Sequence, residues 1–147
     1  MSSQIKVDEI IKLFRQNRGK DVGQLGKKEY DILTDLVDKA SQLGLITLTG
    51  AKTQSGQLCA GAIFIGSNNG YIFLFSAVDK ESRATGAMSY IIDSFISRHA
   101  GESMLLDFEG SMDKNLARFY KSFGSKEIVY LQIKKNNLPS YAKWIKK

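Results

Sequence analysis

Three places in this 147-residue sequence put chemically able side chains where a fold could use them. The first is Ser82-Arg83-Ala84-Thr85-Gly86-Ala87, where the apolar run Tyr71–Ala77 passes through a polar loop into a helical pattern. Free backbone N–H groups at a helix start, with the positive end of the dipole behind them, attract anions, and Gly86 and Ala87 let a phosphate come close. Small residues there serve close packing equally well, and Asp79 and Glu81 oppose an anion nearby. The second is Tyr120, on one stripe with Leu116 and Phe123. Such a ring fits a core with its hydroxyl at the rim; held at a pocket edge, the phenol can instead give a proton to a leaving group. The third is Asp107 with Glu109, flanking Phe108 where a strand ends. Ligand sites in α/β sheets gather at strand ends, so one of these carboxylates can take a proton from an amine. A capping or solvated role suits them equally, because Gly110-Ser111 and Asp113 read as a helix N-terminus.

Other chemistries are excluded or weak. One histidine (His99) and one cysteine (Cys59) cannot supply a tetrahedral metal scaffold, and a lone cysteine forms no disulfide framework. His99 near a helix end suits capping of carbonyls, and Cys59 in an apolar strand suits packing. The net charge of +6 is uneven: from Met112 onward nine basic residues face two acids, a local +7, so residues 1–111 carry −1. That end could draw nucleic acid, an acidic surface or a phosphorylated ligand, or simply be a solvated basic tail. No aromatic stacking series or Gly/Arg repeat accompanies the lysines, which leaves a polyanion-binding module the weakest function class. No apolar run approaches the ~20 residues of a membrane-spanning helix. Met1-Ser2-Ser3-Gln4 lacks a secretory start, so a soluble, cytoplasmic protein is expected.

The elements that must position these residues follow from periodicity. Val7, Ile10, Ile11 and Phe14 predict one amphipathic helix; Tyr30, Leu33, Leu36, Val37, Ala40 and Leu43 predict a second, closed by Gly44. Strands are expected over Leu45–Thr49, Leu58–Ile65 and Tyr71–Ala77, antiparallel, with Asn69-Gly70 supplying positive φ angles for a hairpin. Ala84, Met88, Ile91, Ile92, Phe95 and Ile96 predict a helix ending at Gly101. Met104–Phe108 reads as a strand, Leu116–Phe123 as a helix closed by Gly124, and Ile128–Ile133 as a last strand. Tyr141, Trp144 and Ile145 suit a short terminal turn. The order is α-α-β-β-β-α-β-α-β. Crossovers after Ala77 and Phe108 imply parallel pairing, and so an α/β (α+β) domain over residues 1–147 with a mixed sheet and helices on both faces.

On these residues the chain resembles the GNAT acyltransferase superfamily, and more narrowly its Fem-like branch, which carries tandem GNAT-type domains. Arg83-Ala84-Thr85-Gly86-Ala87-Met88 is similar to the Arg/Gln-x-x-Gly-x-Gly/Ala cofactor motif, with Met88 in place of the final small residue. Asn115 to Gly124 resembles the helix bearing the leaving-group tyrosine, with Tyr120 at that position and Gly124-Ser125 where Gly-Phe is usual. Leu106 to Ser111 followed by Phe119 to Gly124 looks Fem-like. The resemblance covers roughly Leu45 to Lys135. It implies transfer of an acyl (acetyl) group from acyl-coenzyme A (acetyl-coenzyme A) to a small-molecule or peptide amine. It also implies cofactor contacts from Ser82, Arg83, Thr85, Gly86, Ala87 and Asn115, backbone N–H groups beside Tyr71–Ala77 for the oxyanion, and catalytic roles for Tyr120 and for Asp107 or Glu109. The strand that opens the family has no counterpart before Val7, so the chain also reads as the C-terminal half of a tandem protein. In that case its expected partners are an upstream GNAT-like domain or a second copy, its donor an aminoacyl-tRNA, and its own role non-catalytic.

Overall fold

The computed structural model describes residues 5–20, 25–109 and 113–129. The chain opens with α1 (Val7–Gln16), a short 3-10 turn (Arg18–Lys20) and α2 (Lys27–Gln42). Each helix start is closed by its own glutamate. Glu9 reaches back to the Lys6 N–H and Glu29 to the Gly26 N–H, both at 2.8 Å, satisfying donors that no helical carbonyl can reach. Val7, Ile10, Ile11 and Leu13 of α1 and Tyr30, Val37 and Ala40 of α2 are buried. The expected α2 stripe is narrower than its periodicity suggests: Leu36 and Leu43 are 41% and 72% exposed, because α2 contributes only its Tyr30–Val37–Ala40 side to the core.

Strands β1 (Ile46–Lys52), β2 (Leu58–Ser67), β3 (Gly70–Val78) and β4 (Leu105–Asp107) form a sheet in the order β1-β2-β3-β4. β1, β2 and β3 are antiparallel. β4 is parallel to β3, reached through the crossover helix α3 (Ala87–Arg98) as the sequence order requires. The short helix α4 (Lys114–Lys121) follows. Alternation along β2 sorts the core into two layers. Ile63 and β3's Ala77 pack against α1 and α2, whereas Ala60, Ala62, Phe64 and Phe73 pack against Ile91, Ile92 and Phe95 of α3. Helices thus cover both faces, and Phe64 stacks on Phe95 at 3.8 Å between ring centres.

Three expectations are corrected. The β2–β3 connection uses Asn68-Asn69, and neither asparagine has positive φ. Gly70 lies inside β3 instead, where its missing side chain makes room for Leu105: an added Cβ would fall within 2.8 Å of the Leu105 carbonyl carbon and nitrogen. Second, α3 begins at Ala87 rather than Ala84, so Arg83, Ala84 and Thr85 belong to the turns before it. Third, His99 is the C-cap of α3, as expected, but it serves the Ile96 carbonyl through its backbone N–H at 3.1 Å rather than through its side chain. Its Nδ1 lies 3.0 Å from a Glu102 carboxylate oxygen, and its ring packs against Tyr71 and Phe95. Cys59 is buried, as expected of a packing residue. Ile128 and Val129 lie outside any strand; the rest of the expected last strand, and Tyr141, Trp144 and Ile145, fall outside the described residues.

Candidate active site

The site is framed by a strand that outruns its neighbour. β4 pairs with β3 only through Gly70↔Leu105, Tyr71↔Leu106 and Ile72↔Asp107. Beyond Ile72, among the described residues, β3 has a partner on the β2 side alone. A bulge lies in that stretch: Ile63 opposes Phe75 and Phe64 opposes Phe73, leaving Leu74 unmatched. Bulges bend a strand and raise its twist, and β4 itself ends at Asp107. The backbone past Ile72 therefore offers ladder groups that no described strand takes up.

β3 then runs into the loop that holds the expected anion-binding residues. Asp79 organises it: its carboxylate accepts the Ser82 N–H and its carbonyl accepts the Arg83 N–H at 3.1 Å. Those two amides are thereby used inside the loop, and the Asp79 charge is turned into its own turn. Thr85 Oγ1 donates to the Ser82 carbonyl at 2.9 Å. Gly86, the N-cap of α3, sits in the left-handed region at φ 75° and provides no side-chain cap. Among the described residues no acceptor serves the N–H groups of Ala87, Met88 and Ser89. Space above Gly86 is open, since an added Cβ would meet nothing within 4 Å. Lys80 and Arg83 are exposed beside this helix start. These observations fit a pyrophosphate-bearing ligand: open amides, a dipole end, and cations at the rim.

Tyr120 sits on the same face of the sheet. Ala87, Met88, Phe108, Phe119, Tyr120 and Phe123 all pack, half-buried, against the cluster built on Phe64, Phe73 and Phe95. The Tyr120 ring stacks on Phe108 and meets Phe73 edge-on at 6.1 Å. Burial pushes the Tyr120 phenol above its ordinary value, and the Arg18 charge pulls the other way. The phenol therefore carries its proton at neutral pH, as a proton donor must.

The two carboxylates stand apart from it. Leu106 and Phe108 pack on the aromatic side, so alternation sends Asp107 off the other face. Its Oδ1 accepts the Glu109 N–H at 2.7 Å, a local turn that holds Glu109 at φ 61°. Both carboxylates are exposed, and no described hydrogen bond or ion pair joins either to Tyr120. Asn115 lies in the first turn of α4, where its N–H donates to the Asp113 carboxylate at 2.9 Å. Phe73, Phe108 and Arg18 were not singled out in the sequence. Arg18 gave no signal at all, since its contact with Asp113 spans 95 positions. Two open grooves, about 490 and 260 Å³, run along α1 and toward α2; neither is lined by Tyr120, Gly86 or Arg83. No cluster of metal-ligating side chains occurs, and no helix is long and apolar enough to cross a membrane, among the described residues.

No family model matches the chain, and no curated protein matches it. Solved structures do. A histone acetyltransferase and related acetyltransferase from Corynebacterium glutamicum superposes with a TM-score of 0.65 at 14% identity, covering 94% of this chain and 89% of that one. An aminoglycoside acetyltransferase from a soil metagenomic sample, in complex with sisomicin, gives 0.60 at 13% identity, covering 88% of each chain. Glucosamine-6-phosphate N-acetyltransferase from Arabidopsis thaliana gives 0.54 at 14%, covering 92% and 96%. The fold is that of the GNAT acetyltransferases. At such identities the likeness is one of architecture. The acceptors in those names differ from one another, and a GNAT fold by itself selects none of them.

Proposed function

We propose that this chain is an N-acyltransferase domain that binds an acyl-coenzyme A, acetyl-coenzyme A first among them, and transfers the acyl group to an amine. The observation that carries the reading is that, among the described residues, β3 has no partner on the β4 side beyond Ile72 and the first amides of α3 have no acceptor, with Tyr120 on the same cluster. The amides of Ala87, Met88 and Ser89, with Arg83 and Lys80 at the rim, suit the pyrophosphate. Ser82 and Thr85 shape that loop through their own hydrogen bonds, and Gly86 keeps it open. Asn115, exposed in the first turn of α4, is a further candidate contact. When bound, the coenzyme supplies the activated thioester. The β3 ladder groups past Ile72 that no described strand takes up suit an extended, amide-bearing arm and the oxygen that gains charge as the amine adds. Tyr120, protonated and half-buried, suits donation to the leaving sulfur. Glu109 or Asp107, exposed at the end of β4, would take the amine's proton through water, since neither reaches Tyr120.

Titration calorimetry with acetyl-coenzyme A tests the reading: saturable binding is expected, weakened by Arg83→Ala. No binding at millimolar ligand would remove it. The Fem-like, non-catalytic reading rests on Met88 in the motif and on the lack of a strand before α1 among the described residues, and the solved structures that share the fold, named as acetyltransferases, do not favour it.

A further inference from the structure

We propose that Asn17 is a positioning residue for the loop before α3: its side-chain amide bridges the end of α1 to the first residue of that loop and so sets where the loop stands against the sheet. Asn17 is the C-cap of α1, and its backbone N–H donates to the Phe14 carbonyl at 3.1 Å. Its Nδ2 donates to the Leu13 carbonyl at 2.9 Å, and its Oδ1 accepts the Lys80 N–H at 3.2 Å, 63 positions away. A carbonyl can only accept and a backbone N–H can only donate, so the two bonds demand the same orientation of the amide. The bond to Leu13 thereby aims Oδ1 at Lys80. Finishing a helix explains the first bond; it does not call for the second.

The loop leaves the sheet just where Asn17 meets it. The Asp79 N–H still donates to the Cys59 carbonyl of β2 at 2.9 Å, and the next amide, that of Lys80, turns to Asn17. After that the loop bonds to itself: Asp79 takes the N–H groups of Ser82 and Arg83, and Thr85 Oγ1 donates to the Ser82 carbonyl. Among the described residues, Asn17 is thus the one hydrogen-bond partner of residues 80–85 that comes from another element. A turn closed on itself moves as one piece about its anchors, and here the anchors are the end of β3, the start of α3 and Asn17. The inference rests on the acyl-transfer reading for its consequence. The amides of Ala87, Met88 and Ser89 follow this loop directly, so an anchored loop presents them to a pyrophosphate already in place, and the ligand does not have to order them.

Amide hydrogen exchange, read residue by residue by NMR, tests this without any coenzyme. In Asn17→Ala the amides of Lys80, Ser82 and Arg83 should exchange faster, by about fivefold at Lys80, the worth of one net hydrogen bond. Asn17→Asp keeps an acceptor for Lys80 and gives up only the donor to Leu13. These amides should therefore stay near their wild-type rates in Asn17→Asp, although a carboxylate at a helix C-terminus weakens α1. Equal acceleration in both variants would assign the effect to the end of α1 and overturn the proposal, as would unchanged exchange in Asn17→Ala. Calorimetry with acetyl-coenzyme A reads the consequence. Asn17→Ala should bind several-fold more weakly at an unchanged number of sites per chain, whereas a loss of folded protein would lower the number of sites and leave Kd as it is. In an active enzyme, KM for the acyl donor should rise while kcat holds. Wild-type affinity in Asn17→Ala, with exchange at the loop accelerated, also overturns the proposal. If exchange responds as expected but the wild-type protein binds no acetyl-coenzyme A, the transferase reading falls and the hold of Asn17 on the loop stands.

Discussion

The ring of Tyr120 lies nearly flat on that of Phe108, 4.5 Å between centres and 18° between planes. This stack fixes the tyrosine through its ring and leaves the hydroxyl without a described hydrogen-bond partner. Packing and chemistry are therefore separable at this residue. Tyr120→Phe keeps the contacts to Phe108 and Phe73, so stability should stay within about 1 kcal/mol of wild type. Loss of a proton donor should lower kcat by on the order of 10²-fold. Thermal melts and thiol release from acetyl-coenzyme A with an amine panel read the two effects; equal turnover would leave the tyrosine a core residue only.

The acid limb of stability should carry the signature of Asp113. This carboxylate caps α4, accepting the N–H groups of Asn115 at 2.9 Å and Leu116 at 3.3 Å. Chiefly those two bonds, and then the Arg18 guanidinium, hold its pKa below the ordinary 3.8. The folded state thus binds this proton less readily than the unfolded chain. Its contribution is present above about pH 3.8 and is lost as pH falls through the lower folded value. Asp113→Asn keeps an acceptor for the cap but does not titrate. Between about pH 6 and pH 2 the variant's melting temperature should therefore fall less steeply than that of the wild type, and parallel curves would refute the assignment.

Much of this architecture was legible in the residues, and the exceptions have physical causes. The stripes of Val7–Phe14 and Ile91–Phe95 mark core-facing helices because a 3.6-residue period must bury one side. The Tyr71–Ala77 run marks a strand covered on both faces, as the two core layers bear out. Boundaries failed where local hydrogen bonds overrode periodicity: Asp79 draws Ser82 and Arg83 into a turn, and left-handed Gly86 delays α3 to Ala87. The early departure of β4 was not legible, because strand register is set by tertiary pairing. Nor was the contact of Arg18 with Asp113, for no local pattern joins residues 95 positions apart.

Gly86 separates backbone conformation from ligand access. An added Cβ would meet nothing within 4 Å, yet φ is 75°, so Gly86→Ala suffers from backbone strain rather than from a clash. A cost of about 1–2 kcal/mol is expected by denaturant unfolding, and less for Gly86→Asn, since asparagine tolerates the left-handed region. Calorimetry should show weaker acetyl-coenzyme A binding in the alanine variant, because relief of the strain would rotate the first amides of α3. Binding unchanged despite lost stability would detach this helix start from the coenzyme.

Gly70 should be the least replaceable glycine of the sheet. A Cβ there would drive into the Leu105 carbonyl oxygen, with that residue's carbonyl carbon and nitrogen at 2.8 Å. All three are backbone atoms of β4 and cannot rotate away, so Gly70→Ala must push β4 off β3. The pairing there is three residues long and has little to lose before it opens. Destabilisation of about 3 kcal/mol or more is expected, with fast amide exchange at Leu105, Leu106 and Asp107. Gly66→Ala is the control: at ordinary φ its Cβ would stop 3.4 Å from the Leu45 carbonyl oxygen, a cost of about 1 kcal/mol or less. Because β4 delivers Phe108, its displacement also removes the surface on which Tyr120 lies. Activity should then fall in Gly70→Ala even under conditions where the protein is still folded, whereas full activity with β4 displaced would break the link between strand pairing and the tyrosine.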